Sequence, residues 1–489
     1  MKFIKYILAG FICVVAINSC NLNLDLTNPN ELSPDTFFQN EVQLKSAVNA
    51  SYTSLQTRGL YARHMFFMMD NMAHENGGNP QLEADKAQYL TFSWPTSHGA
   101  IFSYWDVCYR GINKANFAID NAMAMEDGLV TESTRQKYIG EAKFMRALYY
   151  YLLVTRFGDV PLYTTVATEG AAKTAKSEVY AQIINDLSAA ATSLLDKGSE
   201  EFGRATKGAA FALLGKVHLT MGNHQLALDA FANVYGKYSL VDNYFDNFMD
   251  ETEDNDETIF DIMFSSKYGG ADSWGTTGSG IAEVTFRDQE YGMTWFNVYP
   301  SDMLLDEFEA NDPRYADSFY TTGDITANGD LIDVPLSRRA AWKKYHQYYK
   351  QANSNTESGI NFNYLRYADV LLMMAECENE VGTGATAIGY LNEVRARASV
   401  DMPRYGTPAM DAIYPVSNKA EIFAAIVHER TVELAGEQVR YNDLIRWDMA
   451  DDVLSQFGFV KGKHEIFPIP QNEIDANLAL SNADQNPGY

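Results

Sequence analysis

The sequence predicts a mostly α-helical protein with one long, loop-rich insertion that holds a few short strands. Two observations support this fold class: apolar residues recur at helical spacing in both halves of the chain, and a helix–turn–helix pattern occurs twice. A third observation is that the composition changes between about residues 242 and 364, where Gly, Asn, Asp and Thr are frequent. We therefore expect a helical body interrupted by a single loop-rich segment.

Helical spacing begins close to the N-terminal end of the chain. Ser33 followed by Pro34 is typical of a helix start, because serine caps the first amides and proline suits the first helical position. Apolar side chains then share one helix face in three successive segments. These are Leu44, Val48, Tyr52 and Leu55; Ile139, Ala142, Met145 and Tyr149; and Ile183, Ile184, Leu187 and Leu194. The second of these helices should stop near Gly158 and Pro161.

The repeated pattern emerges when Gly222 is aligned with Gly382. Five residues after each glycine stands an alanine, Ala227 or Ala387, which suits a close approach of two helices. Matching apolar residues flank the turn: Leu213-Leu214 and Met373-Met374 before it, Phe231 and Leu391, then Val234 and Val394, after it. The pattern resembles tetratricopeptide units, in which stacked helix pairs bury a shared face.

The insertion has a different character from the helical segments. Glycines cluster between residues 269 and 280, and residues 258–262 form a short apolar run that predicts a strand. Long loops on a rigid scaffold are common places for binding sites. We therefore expect the ligand-binding face within this segment.

The N-terminus carries an export signal. Lys2 and Lys5 precede an apolar run at residues 7–17, which is too short to span a bilayer. The residues before Cys20 resemble a bacterial lipobox, so we expect cleavage there and a lipid on Cys20; cleavage beside an incidental cysteine is the alternative. Since no later apolar run of about 18 residues follows, the lipid is the only predicted membrane contact.

Composition excludes several classes of function. The 489-residue chain has a net charge of −26, so it repels nucleic acid and anionic membranes. It contains no zinc-protease, P-loop or nucleophile-elbow motif, and its eight histidines show no metal-ligand spacing. We expect no cofactor. A structural calcium ion in the acidic run at residues 250–257 lacks support, because the order of an EF-hand and its glycine are absent.

Several long blocks of sequence occur in a fixed order along the chain. They include WDVCYRGINKANFAIDNA at 105–122, EAKFMRALYYYLLVTRFGDVPL at 141–162, RATKGAA at 204–210, RYADVLLMMAE at 366–376, LNEVRARA at 391–398, ERTVELAGE at 429–437, and FPIPQ at 467–471 with QNPGY at the end. These blocks resemble the SusD/RagB family of outer-membrane nutrient-binding lipoproteins of Bacteroidetes. The resemblance covers nearly the whole chain after the signal.

This resemblance implies a domain organisation and a function. It implies a signal peptide at 1–19, a helical region at 20–240, the insertion at 241–364, and a C-terminal helical region at 365–489 that packs with the first as one body. Members of the family bind oligosaccharide at the cell surface, without catalysis, and serve a SusC-like TonB-dependent outer-membrane transporter. A peptide-binding, RagB-like protein, a surface glycoside hydrolase and a protein-binding scaffold are the alternatives.

Aromatic residues in loops are the best candidates for a sugar site. A sugar ring offers an apolar C–H face and a rim of hydroxyls, so flat aromatic rings and amide side chains suit it. Trp94, Trp274, Trp295 and Tyr291 lie in segments with turn residues, and Asn76 lies in a polar stretch nearby. We expect these five residues to contact the ligand.

Other candidates have structural roles instead. Trp105, Trp342 and Trp447 are expected to have structural roles, and Cys108 and Cys377 should behave as small buried apolar residues. Seven charged residues should form buried ion pairs or helix-end contacts rather than bind ligand. They are Arg146, Arg366, Glu376, Arg395, Glu429, Glu433 and Arg440.

Overall fold

The structure is a computed structural model that describes residues 37–266, 284–293, 295–335, 337–350 and 358–489. Helices dominate it and its strands are few and short, which confirms the predicted fold class. The helices are α1 (Glu41–Tyr52), α2 (His64–Met72), α3 (Ala84–Leu90), α4 (Gly99–Ala124), α5 (Glu132–Phe157), α6 (Lys176–Ser193), α7 (Lys207–Thr220), α8 (His224–Phe231), α9 (Arg287–Tyr291), α10 (Asp302–Leu305), α11 (Pro313–Ser318), α12 (Tyr367–Val381), α13 (Gly384–Arg395), α14 (Pro408–Asp411), α15 (Lys419–Glu433), α16 (Arg440–Arg446), α17 (Ala450–Leu454) and α18 (Gln471–Ala476). The strands are β1 (Asn76–Gly78), β2 (Thr258–Ile262), β3 (Val298–Pro300), β4 (Phe319–Tyr320), β5 (Ala341–Trp342) and β6 (Phe362–Arg366).

The two longest helices, α4 and α5, pack along each other near the N-terminal end of the body. Helix α5 begins where the Thr131 side chain accepts a hydrogen bond from the Thr134 amide, and it ends at Gly158, whose φ of 72° favours glycine. Its predicted apolar face is buried from Ile139 to Tyr149. Both the face and the end of this helix are therefore confirmed. The predicted start at Ser33 lies outside the described residues.

The two copies of the repeated pattern form two helix pairs, α7 with α8 and α12 with α13. Ala227 and Ala387 are fully buried, as the close approach of the paired helices requires. Helix α8 also packs against α12, so units far apart in sequence are stacked side by side. This stack is the tetratricopeptide-like core that the alignment of Gly222 with Gly382 predicted.

The strands form three separate two-stranded antiparallel sheets. Strand β2 has the predicted bounds and pairs with β6, from Thr258 opposite Arg366 to Ile262 opposite Phe362. Strand β1 pairs with β3, and β4 pairs with β5. The described residues of the insertion thus consist of short elements joined by loops.

Ion pairs are buried throughout the body, and six of the seven predicted charged residues take part in them. Arg146 pairs with Asp186, Arg366 with Glu257, Glu433 and Glu437, Arg395 with Glu309 and Glu429, and Glu376 with Arg446. Arg440 differs, because no carboxylate of the described residues lies within ion-pair distance and its Nη1 has no hydrogen-bond partner. Arg440 therefore forms no ion pair among the described residues and stands at a helix end instead, as the first residue of α16.

Two further expectations concern cysteines and membranes. Cys108 and Cys377 are buried and are not joined in a disulfide, as predicted. Within the described ranges, no helix has both the length and the apolar character needed to cross a bilayer.

We expect Arg366→Met to lower the free energy of unfolding by about 3–5 kcal/mol, because it leaves buried carboxylates without their cation. Urea unfolding followed by circular dichroism measures this loss. The control is Arg339→Met, since Arg339 pairs with Asp306 but its side chain is 47% exposed. That change should cost less than about 1 kcal/mol. Equal losses in the two variants would contradict the prediction.

Candidate functional site

Trp94 does not form an exposed platform, contrary to our expectation. Its side chain is 4% exposed, and its ring packs edge-on against Phe467 and His464. The indole Nε1 donates a hydrogen bond of 3.0 Å to the hydroxyl of Tyr489, the last residue of the chain. Trp94 therefore anchors the C-terminus to the core, which its loop sequence did not reveal.

Tyr291 and Asn76 are also buried, so the expectation that they contact ligand directly is wrong. The Asn76 amide donates to the Tyr291 hydroxyl at 2.9 Å and to Asn71 Oδ1, while its Oδ1 accepts from Trp342 Nε1 at 2.7 Å. Burial raises the pKa of Tyr291 well above its ordinary value. These side chains satisfy one another inside the protein and leave no polar atom of Asn76 for a ligand.

Of the predicted aromatic contacts, Trp295 is half-buried rather than buried. Trp274 lies outside the described residues. The next residue, Phe296, has a φ of 45°, which is rare for a residue with a side chain. This backbone is held by Gln81, whose amide donates to the carbonyls of Trp295 and Phe296 at 2.8 and 3.1 Å. The Phe296 ring is itself buried. Trp295 therefore belongs to a turn whose backbone is held in place.

Tyr299 lies close by on strand β3, directly opposite Gly77 of β1. The guanidinium of Arg338 lies over the Tyr299 ring, 3.9 Å from its centroid. Arg338 also donates to Asn79 Oδ1 at 3.1 Å, and Asn79 donates in turn to the Phe296 carbonyl. The Tyr299 ring and the Arg338 guanidinium are thereby held in a stacked pair on the surface.

We call this region the Trp295 surface and define it by Asn79, Gln81, Trp295, Tyr299 and Arg338. Each of the five is half-buried or exposed. Two aromatic rings, two amides and one guanidinium offer flat apolar area with hydrogen-bonding groups beside it. Such a surface can bind a ligand with apolar faces and hydroxyl edges, and it carries no nucleophile or carboxylate pair.

The Trp295 surface has a buried ionic support. Glu290 is fully buried; one oxygen pairs with Arg63 at 2.5 Å and the other accepts from Asn297 at 2.6 Å. Although burial alone would lower the pKa of Arg63, attraction to Glu290 and hydrogen bonds with its carboxylate neighbours raise it. The segment that presents Trp295 is thus tied to helices α2 and α9.

Sequence reasoning named Trp295 as a candidate but not the other four residues of the surface. Tyr299, Arg338, Asn79 and Gln81 are separated by up to about 260 positions, and none belongs to a motif. The pairing of β1 with β3 brings them together, and three-residue strands give no clear periodicity. Among the described residues no group of His, Cys, Asp or Glu is arranged to hold a metal ion.

Comparison with known families gives a consistent result. A model described as the SusD family matches residues 340–489. A second model, described as starch-binding associating with outer membrane, matches residues 23–219. The chain belongs to the SusD family.

Individual relatives are similar over most or all of their length. A SusD-like protein P2 of Formosa agariphila is 28% identical, with 99% of this chain and 100% of that protein covered. The starch-binding protein SusD of Bacteroides thetaiotaomicron is 24% identical over 84% of this chain and 82% of its own. A laminarin-binding SusD-like protein of known structure is 28% identical, with a TM-score of 0.77 over 92% of this chain and 100% of that one. A SusD superfamily protein from Bacteroides vulgatus, 24% identical with a TM-score of 0.79 over 93% and 100%, shares the fold.

Gly77 should be necessary for the position of the Tyr299 ring. A Cβ atom on Gly77 would lie 2.4 Å from Tyr299 Cε2, so Gly77→Ala must displace the ring from Arg338. We expect a crystal structure of the variant to show this displacement, with a loss of about 1 kcal/mol in unfolding free energy. Gly99→Ala is the control, because no atom lies within 4 Å of a Cβ there. An unmoved Tyr299 ring would contradict the prediction.

Proposed function

We propose that this protein captures oligosaccharide at the cell surface and catalyses no reaction itself. The observation that carries the proposal is the Trp295 surface, which has two half-buried aromatic residues. Hydrogen bonds from Gln81 and Asn79 hold the Trp295 turn, and the Arg338 guanidinium lies over the Tyr299 ring, before any ligand arrives. A surface fixed in advance loses little entropy on binding, which suits the capture of a flexible chain of sugars.

The chemistry of the surface favours a glycan. The rings of Trp295 and Tyr299 suit the C–H faces of pyranoses, and the Gln81 amide and Arg338 guanidinium suit the hydroxyl rim. Membership of the SusD family and the similarity to a laminarin-binding protein support the same ligand class. Trp274 is proposed as a further ring contact, because its Gly- and Ser-containing segment belongs to the same insertion.

We further propose that the protein is lipid-anchored through Cys20, faces the cell exterior and delivers glycan to a TonB-dependent outer-membrane transporter. The basic and apolar residues before Cys20 support the anchor. The match to a family described as associating with the outer membrane supports the location. Two hydrocarbon chains or more are needed for stable attachment, which a lipidated N-terminal cysteine would supply.

Trp295→Ala should weaken glycan binding about tenfold, because one stacking contact and its buried area are lost. Calorimetry with laminarin and a panel of other soluble glycans measures the affinity. Trp447→Ala is the matched control, since Trp447 is also half-buried but packs on Phe423 and Arg446 elsewhere. Trp274→Ala tests the second proposed ring in the same assay.

Two results would contradict the proposed function. One is an unchanged affinity of Trp295→Ala for a glycan that the natural protein binds. The other is the appearance of new reducing ends when the protein is incubated with that glycan, which would indicate a hydrolase. Trp94→Ala should instead destabilise the fold by about 3–5 kcal/mol, because its ring is buried.

The anchor and the transporter can be tested together in membranes of the native host. A tagged protein extracted in mild detergent should copurify with a much larger β-barrel protein. Cys20→Ala should move to the soluble fraction and lose the mass of the lipid. A Cys20→Ala protein that stays in the membrane with unchanged mass would contradict the anchor, and repeated purification of the chain alone would contradict the partner.

A further inference from the structure

Arg156 stands apart from the other buried arginines of the described residues. Its side chain is 3% exposed, yet no carboxylate of the described residues lies within ion-pair distance of it. The other buried arginines of the described residues all have such a partner: Arg63, Arg135, Arg146, Arg204, Arg287, Arg314, Arg366, Arg395, Arg397 and Arg430. A buried charge without a counter-ion is costly, which makes this arginine a candidate for binding an anion.

Arg156 lines a surface cleft of about 450 Å³, a volume in the range of sites for small ligands. The cleft lies between the end of α5, the first turn of α6, the end of α7, helix α16 and residues 465–466. Arg156 also lines a second, smaller cavity of about 50 Å³, which shares Thr155, Thr220, Asn442 and Arg446 with the cleft. None of the residues of the Trp295 surface lines this cleft.

The polar groups of the cleft are mostly hydrogen-bond donors. The Arg156 guanidinium lies over the Tyr441 ring at 5.0 Å and donates to Asn442 Oδ1. This contact leaves its other N–H groups, and both amide hydrogens of Asn442, without an acceptor among the described residues. Lys176 and Tyr180 line the same cleft, and neither the ammonium of Lys176 nor the hydroxyl of Tyr180 has a hydrogen-bond or ion-pair partner in the described part of the chain. A ligand that fits must therefore supply acceptors.

The cleft has a small excess of positive charge, because two unpaired cations face one carboxylate. Arg446 is already paired with Glu376 and Asp443, so Arg156 and Lys176 are the cations that remain unpaired. Glu465 opposes them, although one of its oxygens accepts from the Gly462 amide. In a chain with a net charge of −26, binding an anion requires such short-range contacts.

We propose that this cleft is a second binding site, specific for a sugar that carries a carboxylate, that is, a uronate. Arg156 and Lys176 would bind the carboxylate, and Asn442 would donate to the ring hydroxyls. Apolar atoms of Val154, Met221, Ile445 and Ile466 line the remainder of the cleft and suit the C–H face of the ring. A free uronate and a uronate residue at the end of an oligosaccharide share this chemistry.

Isothermal titration calorimetry with D-glucuronate, D-glucose and acetate tests the specificity of the cleft. Glucuronate should bind at least tenfold more tightly than glucose, which lacks the carboxylate, and than acetate, which lacks the ring. Its affinity should fall as salt is added. A disaccharide with a terminal glucuronate distinguishes a free uronate from a uronate at the end of an oligosaccharide. If the disaccharide binds more tightly than free glucuronate, the cleft recognises the end of a glycan. If the two bind equally, the cleft recognises a single sugar.

Variants assign the binding to the cleft. Arg156→Gln should weaken glucuronate binding more than tenfold, Lys176→Gln should weaken it threefold to tenfold, and Glu465→Gln should strengthen it. Lys207→Gln is the matched control, because Lys207 is also the first residue of a helix but lies outside the cleft. Lys176 is exposed and Glu465 is half-buried, so these variants decide the outcome even if Arg156→Gln unfolds.

The proposal is overturned if glucuronate binds no more tightly than glucose, or if Lys176→Gln and Glu465→Gln both leave its affinity unchanged. It stands independently of the proposed function. Trp295→Ala should keep its full affinity for glucuronate, so loss of neutral-glycan binding and loss of uronate binding are distinguishable.

Discussion

A buried network of ion pairs around the last turn of α15 joins the segments of this protein. Glu429, Glu433 and Glu437 face five cations that come from distant parts of the chain. These are Arg314, Lys344, Arg366, Arg395 and Arg397. The insertion supplies the first two and the C-terminal region the other three, so the network holds the insertion against the helical body.

The electrostatic balance of the network depends on mutual neutralisation. Burial by itself would raise the pKa of Glu429 and Glu433, but their arginine partners lower both below the ordinary value. Burial lowers the pKa of Lys344 to about 8 despite its contact with Glu437. At the edge of the network, burial alone would lower the pKa of His428, but hydrogen bonds with Glu307 and Glu309 raise it above its ordinary value. Each charge is tolerable only because the others are present.

The Trp295 surface is connected to this network through a short series of contacts. Lys344, which pairs with Glu437, stands two residues after Trp342 in the sequence. The Trp342 indole donates a hydrogen bond to Asn76 Oδ1 at the start of β1. Strand β1 pairs with β3, which carries Tyr299. Asn76 therefore serves the surface without touching a ligand, by holding the strand beneath it. This explains how short strands in a loop-rich segment keep Tyr299 in position.

The sequence by itself determined the helical class, the paired helices at Gly222 and Gly382, strand β2 and the ion-pair role of six charged residues, though not their partners. Helical periodicity, glycine turns and small buried alanines are local signals that survive in a single chain. The stacking of α8 on α12 and the assembly of the Trp295 surface were decided only by tertiary structure. The reason is burial: Trp94, Trp295 and Tyr291 all stand among turn residues, and only the packing of distant segments determines which ring stays accessible.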